Sequence, residues 1–281
     1  MKLFGVTTTF NCEALVPYVM KYYSDLGYDK VIVYDNESTD NTVELLKQYP
    51  FAEIRTFSHN EFAVNTFTNE GCLIIGQNEI LKRTTLTNTL WEIYYEYIGS
   101  YIEGKTEPAW ITLTDFDEVI FFSSIYGRTF KYYLDEITSL GYNVCYEKML
   151  WLVGTQNSYD TNEFIHRQIN KCAFGEGGIW TKPLLFRLDN LYILNLALGQ
   201  HGAYFKFFNE DVKPLSNTRS IHVFHLKYAL GNPIYFWTDI IANHYNETLK
   251  NTIDIKTYFE HKMLNGVEAG ESENIYLSQF Y

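Results

Sequence analysis

Asp115 and Asp117 stand one residue apart inside "AWITLTDFDEVIFF" (residues 109–122), a run otherwise made of strand-forming apolar residues. Carboxylates are costly in an apolar setting unless a positive charge meets them. Residues two apart in an extended segment share a face, so this pair can address one cation. Hard oxygen ligands suit Mg²⁺ or Mn²⁺, ions that usually bridge protein carboxylates to phosphate oxygens. The chemistry on offer is a metal–diphosphate site. His222 and His225, in "SIHVFHLKYA", are three apart, so in a strand they face opposite ways and one of them can reach the site. His201 lies between Gly199 and Gly202, residues that allow close backbone approach.

The elements that must position these residues alternate along the first third of the chain. "LFGVTTTF" is a β-rich run, and "EALVPYVMKYYSDLGYD" carries a helical apolar stripe that stops at Gly27. "KVIVYDN" is apolar on both faces until Asp35, "STDNTVELLKQYP" runs from a Ser/Thr/Asp cap to Pro50, and "AEIRTFS" is a third strand. Strands alternating with helices predict an α/β fold with a mostly parallel central sheet flanked by helices. Ligands of such sheets sit outside the carboxyl ends of the strands. "TTTFN" and "YDNESTD" fall at two such ends. The pattern over residues 60–106 is helical, with the aromatic segment "LWEIYYEYIGSYIE" read as core-facing. After the aspartate strand, "YNVCYEKMLWLVG", "TKPLLFRLD" and "SIHVFHLKYA" read as further strands, with the loop-like "LGQHGAYF" between the last two. The reading is one catalytic-type domain over residues 1–230 and a helical, polar C-terminal extension over 231–281 packed on it.

Composition narrows the partners. The 281 residues carry a formal net charge of -12, which argues against nonspecific binding to nucleic acid or an anionic membrane. The aromatic share is 17%, with 24 Tyr and 20 Phe, and packing accounts for most of those rings. Four widely spaced cysteines without a CxxC form neither a zinc motif nor a disulfide framework and fit a reducing compartment. No apolar run approaches the ~18 residues a membrane span needs, and the N-terminal apolar run is too short for a signal peptide. A cytoplasmic location is the expectation.

Two metal-dependent classes place Asp-x-Asp at a strand end. "DFDEV" matches the Asp-x-Asp-x-Thr/Val motif of haloacid dehalogenase-like phosphatases, but those carry it on their first strand and need a downstream acidic pair that this sequence lacks. The other class is the GT-A fold glycosyltransferases. "GVTTTFNCE" resembles the first strand of family-2-type transferases, and "VIVYDNESTD" resembles their Val-Asp-Asp-Gly-Ser-Thr-Asp signature, with Asn36 at the second Asp and Glu37 at the Gly. "WITLTDFDEVIFF" resembles the subgroup whose metal motif is Asp-x-Asp-Glu. "WTKPLLFR", "LGQHGAYF" and "HVFHLKY" resemble that subgroup's later Lys-x-x-x-(apolar)-Arg, Gly-x-His and His-(aromatic) elements in the same order. The resemblance covers about residues 1–230.

What it implies is a metal-dependent transferase using Mn²⁺ or Mg²⁺, a nucleotide-sugar donor (a UDP-sugar), and a glycan or glycolipid acceptor of the kind found in surface polysaccharide assembly. Thr8, Phe10 and Asp35 would frame the base and ribose. Asp117 would bind the metal directly, and Asp115 would contact the ribose, or the metal through water. His225 would complete the metal site, imidazole being a good Mn²⁺ ligand, with His201 second to it; Lys182 would neutralise the diphosphate as a point charge, and Arg187 would do so bidentately. An inverting enzyme needs a general base for the acceptor hydroxyl. Glu147, Asp160, Glu163 and Glu176 stand beyond the metal motif, and Glu176 in "FGEGGIW" is the choice because its glycines admit an acceptor. A module that keeps the fold only for recognition is the contrasting class; retained costly carboxylates argue against it.

Overall fold

The computed structural model describes residues 1–56, 66–67, 73–74, 86–98, 108–124, 127–174, 181–196, 203–207, 210–230 and 252–268. Fifteen strands run through these residues. They are β1 (Lys2–Thr9), β2 (Lys30–Asp35), β3 (Ala52–Thr56), β4 (Thr66–Phe67), β5 (Leu73–Ile74), β6 (Ala109–Asp115), β7 (Glu118–Phe122) and β8 (Val144–Val153). They continue with β9 (Lys171–Phe174), β10 (Thr181–Arg187), β11 (Leu191–Leu196), β12 (Ala203–Phe207), β13 (Pro214–Ser216), β14 (Ile221–His225) and β15 (Ile253–Asp254). The helices are α1 (Val16–Leu26), α2 (Thr42–Leu46), α3 (86–93), α4 (Phe130–Ser139), α5 (Ile165–Gln168) and α6 (Ile255–Asn265). The architecture is mixed α/β, as the alternation predicts. None of the described helices is long and apolar enough to cross a membrane.

The chain divides into two compact units. The first comprises Met1–Val16, Tyr28–Phe116 and Phe186–Val212. Its sheet is parallel throughout, in the order β6-β1-β2-β3. Leu3, Val6, Val31, Val33, Ala109 and Ile111 are wholly buried, which is why these strands read as apolar on both faces. β11 and β12 form an antiparallel pair in the same unit.

The second unit comprises Pro17–Gly27, Asp117–Leu185 and Lys213–Tyr281. Here β14 lies antiparallel to β7 and parallel to β8, β8 is antiparallel to β9, and β9 is antiparallel to β15. The apolar stripe of α1 is buried through Tyr18, Val19, Tyr22 and Tyr23. That helix stops at Gly27, whose φ of +72° is the left-handed geometry that favours glycine after a helix. α4 is capped by Thr129, whose side chain accepts from the Tyr132 N–H, and α6 by Asp254, which accepts from Lys256 and Thr257. The α6 helix answers the helical reading of the tail over those eleven residues.

Several details depart from the sequence reading: residues 60–106, read as helical, contain the antiparallel strands β4 and β5, and "LGQHGAYF", read as loop-like, contains the start of β12. "STDNTVELLKQYP" is helical only over Thr42–Leu46. More consequentially, residues 109–122 are not one strand: β6 ends at Asp115, Phe116 and Asp117 form a turn, and β7 begins at Glu118. The Phe116 N–H still donates to the Thr8 carbonyl at 3.2 Å, whereas the Asp117 carbonyl accepts from the Leu226 N–H at 2.7 Å. Backbone partners change between these two residues, so the aspartates are not held on one face of one strand.

Candidate active site

Register pairing in the first unit sets Thr8 opposite Asp115 and Thr9 opposite Asp35, all at the carboxyl ends of their strands. Successive side chains point to opposite faces, so Thr8 and Asp115 share one face while Thr9 and Asp35 share the other. The Thr8 hydroxyl donates to Asp115 Oδ1 at 3.3 Å. Asp35 is buried, and its Oδ2 accepts from the Ser38 N–H at 3.0 Å. Its Oδ1 is buried without a hydrogen-bond partner among the described residues, as are Asn36 Oδ1 and Thr9 Oγ1. Unpaired buried acceptors are costly, so this edge is prepared for a ligand that donates hydrogen bonds.

The loops after β1 and β2 are tied to each other. Asn11 donates its N–H to Ser38 Oγ at 2.9 Å and accepts the Thr39 N–H on Oδ1 at 2.8 Å. Glu13 and Asp40 exchange similar bonds, the Glu13 N–H with Asp40 Oδ2 and the Asn41 N–H with Glu13 Oε2. The Cys12 N–H donates to the Thr42 hydroxyl at 2.7 Å. Asn11 and Glu37 both take positive φ, 49° and 59°. Glu37 occupies the position where the resembling signature has Gly, and the left-handed backbone is the reason Gly suits it. Phe10 follows β1 directly at this edge. Sequence reading passed over Asn11, Ser38 and Thr39; the signal available was their turn-forming residue types.

In the second unit, β14 carries both candidate histidines and the register pairs His225 with Glu118 and His222 with Phe121. His225 Nε2 lies 3.0 Å from Asp117 Oδ2. Both side chains are largely covered, 13% and 18% exposed, so water screens their attraction little. Burial disfavours the imidazolium, but the adjacent Asp117 carboxylate outweighs it and holds the His225 pKa above its ordinary value. The Trp151 ring stands edge-on to His225, with centroids 5.7 Å apart. His225 Nδ1 is buried without a hydrogen-bond partner among the described residues.

His222 points the other way, as the three-residue spacing predicts. It sits among Phe121, Phe224, Tyr258 and Phe259, with Nδ1 3.3 Å from the Tyr258 hydroxyl. It is a packed structural histidine.

Other candidates fare differently. Arg187, aimed at phosphate by the resemblance, is instead tied bidentately to Asp189 at 2.6 and 3.3 Å and to Glu210 at 3.1 Å. Asp189 in turn accepts the Ala109 N–H, so the ion pair fastens the strand edge. Glu147 is buried in an ion pair with Lys262 at 2.9 Å, which removes it from the candidates for general base. Glu163 pairs with Arg167 and with the Phe164 N–H, and Asp160 accepts from Asn162. Lys182 is the second residue of β10; its side chain, and the whole of His201, Glu176 and Arg83, lie outside the described residues. Among the described residues no group of three or more His, Cys, Asp and Glu side chains gathers as a metal cage; Asp117 and His225 form a pair.

Comparison with solved structures finds slight likenesses. Staphylococcus aureus TarS matches at 16% identity over 67% of this chain and 28% of its own, with a TM-score of 0.35. The chain thus spans little more than a quarter of that protein. A 4-diphosphocytidyl-2C-methyl-D-erythritol synthase matches at 10% identity over 67% of this chain and 74% of its own, TM-score 0.31. Its counterpart from Anaerococcus prevotii matches at 11% identity over 57% of each chain, TM-score 0.25. A comparison with curated proteins returns no match. The family model that matches is glycosyltransferase family 92, over residues 6–177. That stretch holds the tied loops, both aspartates and the strand carrying Trp151, and the matched family is 92 where the signatures resemble family 2. More than half of the sequence lies within the match, and the chain belongs to glycosyltransferase family 92.

Proposed function

We propose that this chain transfers a sugar from a nucleotide-diphosphate donor, a UDP-sugar, to a glycan or glycolipid acceptor, with a divalent cation and with inversion at the sugar carbon. The observation that carries the reading is the Asp117–His225 pair, 3.0 Å apart, two residues beyond a parallel strand that ends in Asp115. The pair fits Mn²⁺ or Mg²⁺ on two counts. Its donor set, one carboxylate oxygen and one imidazole nitrogen, suits Mn²⁺. Its spacing of 3.0 Å would let both atoms face one ion.

A divalent ion held there supplies Lewis-acid stabilisation of the diphosphate leaving group. The chain's own residues do the rest. Asp117 and His225 hold the ion. Thr8 orients Asp115 by its hydrogen bond, and the carboxylate at the strand end would accept from a ribose hydroxyl. Asp35 Oδ1, an acceptor in need of a donor, takes a hydrogen bond from the nucleoside, and Phe10 supplies an apolar wall. The tied loops keep this edge from reorganising when the donor arrives, which spares the ordering cost of binding. Lys182 neutralises the diphosphate. Glu176 is our candidate for the base that deprotonates the acceptor hydroxyl. Family membership turns the reading away from the phosphatase and from a recognition-only module.

Calorimetric titration of UDP and GDP, each with and without Mn²⁺, on wild type and Asp117→Asn tests the donor site. UDP binding that needs both the metal and Asp117 is the expected result. Failure of every nucleotide to bind a folded protein overturns it.

A further inference from the structure

A buried ion pair in the second unit has no part in the chemistry above, yet it grips the strand that carries His225. Lys262, on α6, is 6% exposed, and Glu147, on β8, is 2% exposed. The Lys262 ammonium donates to Glu147 Oε2 at 2.9 Å and also to the carbonyl of Ile221, the first residue of β14. The other Glu147 oxygen, Oε1, accepts the Thr218 N–H at 2.7 Å, and the Thr218 hydroxyl accepts the Ile221 N–H at 2.9 Å. Both backbone groups of Ile221 are thus held by side chains, the carbonyl by Lys262 on α6 and the N–H by Thr218, whose own N–H is held by Glu147 on β8. The preceding turn of chain is sewn to the same helix end: the Arg219 N–H donates to the Val267 carbonyl and the Val267 N–H to the Asn217 carbonyl. Tyr258, one helical turn before Lys262, meets His222.

β14 is also held by its antiparallel pairing with β7 over five residues, from Ile221 with Phe122 to His225 with Glu118, so the ion pair is a second constraint on its register. Its parallel pairing with β8 covers three residues, Val223 with Met149, Phe224 with Leu150 and His225 with Trp151. The apolar residues of β14, Ile221, Val223 and Phe224, are followed by Leu226, all buried, so apolar burial alone separates a slipped pairing from the native one less sharply than a charge does. A buried charge pair tolerates no such slip, because moving either partner leaves an uncompensated charge in the core. Fixing register is the role for which buried polar groups are best attested.

We propose that Lys262, with Glu147, is a positioning residue: it locks the register of β14 so that His225 meets Asp117. The function of that meeting rests on the metal-site reading above, but the positioning itself does not. The test therefore has two independent arms. In the metal-free protein, histidine ring signals from selectively ¹⁵N-labelled material report the His225–Asp117 contact directly, with Asp117→Asn identifying the signal. Lys262→Met should move the His225 signal to the position seen in Asp117→Asn. The paired variant Lys262→Met with Glu147→Met removes both buried charges together, so the core survives, yet the ties to Ile221 and Thr218 are gone. It should stay folded and still lose the contact. In the second arm, Mn²⁺-dependent UDP affinity should fall about tenfold or more in both variants, the size typical of lost support behind a metal ligand.

A His225 signal unchanged in the folded paired variant overturns the positioning role. If wild type binds no Mn²⁺ and UDP while the ring signal still responds to Lys262, the metal reading fails and the positioning stands.

Discussion

His225 Nε2 and Asp117 Oδ2 meet at 3.0 Å across 108 residues of sequence. A second tie, the Leu226 N–H to the Asp117 carbonyl, holds the same turn at 2.7 Å, so backbone and side chain of Asp117 are both fastened to the end of β14. Replacing His225 with Ala removes one of two candidate metal ligands. We expect Mn²⁺-dependent UDP binding to weaken by more than about tenfold, read by calorimetry on protein whose thermal midpoint is checked alongside. Unchanged affinity would assign the ligand role elsewhere.

Gly154 closes β8 against the chain that follows β14. A Cβ there would stand 1.7 Å from the Ala229 carbonyl oxygen and 2.6 Å from the Tyr159 hydroxyl. Neither backbone atom nor neighbour can yield that much, because the Gly154 N–H is itself bonded to the Tyr228 carbonyl at 2.9 Å. Gly154→Ala should destabilise the protein by about 3 kcal/mol or more. Urea unfolding measures it, and a loss under about 1 kcal/mol would mean the strand end shifts freely.

Acid should weaken the second unit through two buried histidines. Burial, followed by the nearby Arg167 charge, pushes the His166 pKa down to about 3. Burial, followed by the Lys262 charge and His166, holds His222 well below its ordinary range. In the unfolded chain both take up protons below about pH 6.5, while the folded chain keeps them neutral. The unfolded state therefore binds more protons as pH falls, and stability drops from about pH 6.5 downward by at most ~1.4 kcal/mol per pH unit for each histidine. His166→Gln removes one of them, so its stability should fall less steeply between pH 6.5 and 5 than wild type's. Parallel profiles would show that His166 is charged in the folded state.

Glu37 is exposed and carries a φ of 59°. A left-handed backbone costs a non-glycine residue about 1–2 kcal/mol, and glycine's greater freedom when unfolded returns about half of that. Glu37→Gly is expected to stabilise the protein by about 0.5–1 kcal/mol, seen as a higher urea midpoint with an unchanged slope. A lower midpoint would show that the glutamate side chain makes up for its backbone.

How much of this was legible beforehand follows from the range of the interactions involved. The parallel core could be read from runs such as "KVIVYDN", because a strand buried on both faces must be apolar throughout. The placing of Thr8 and Asp35 at strand ends followed from the same runs, since a strand's end is marked by its own residues. Even the split roles of His222 and His225 came from local geometry, the alternation of a strand.

Sequence alone determined the α/β alternation, Asp35 at a strand end and the opposite facing of His222 and His225, all matters of periodicity within a few residues. Tertiary structure alone decided which charges were already spoken for. Arg187 looks the same in sequence whether it faces a phosphate or Asp189, and Glu147 looks the same whether it is a base or the partner of Lys262, 115 residues away. The break between Asp115 and Asp117 is of that kind too. A strand-forming run stays a strand only while its backbone groups keep the same partners, and here the partner changes from Thr8 to Leu226 within two residues.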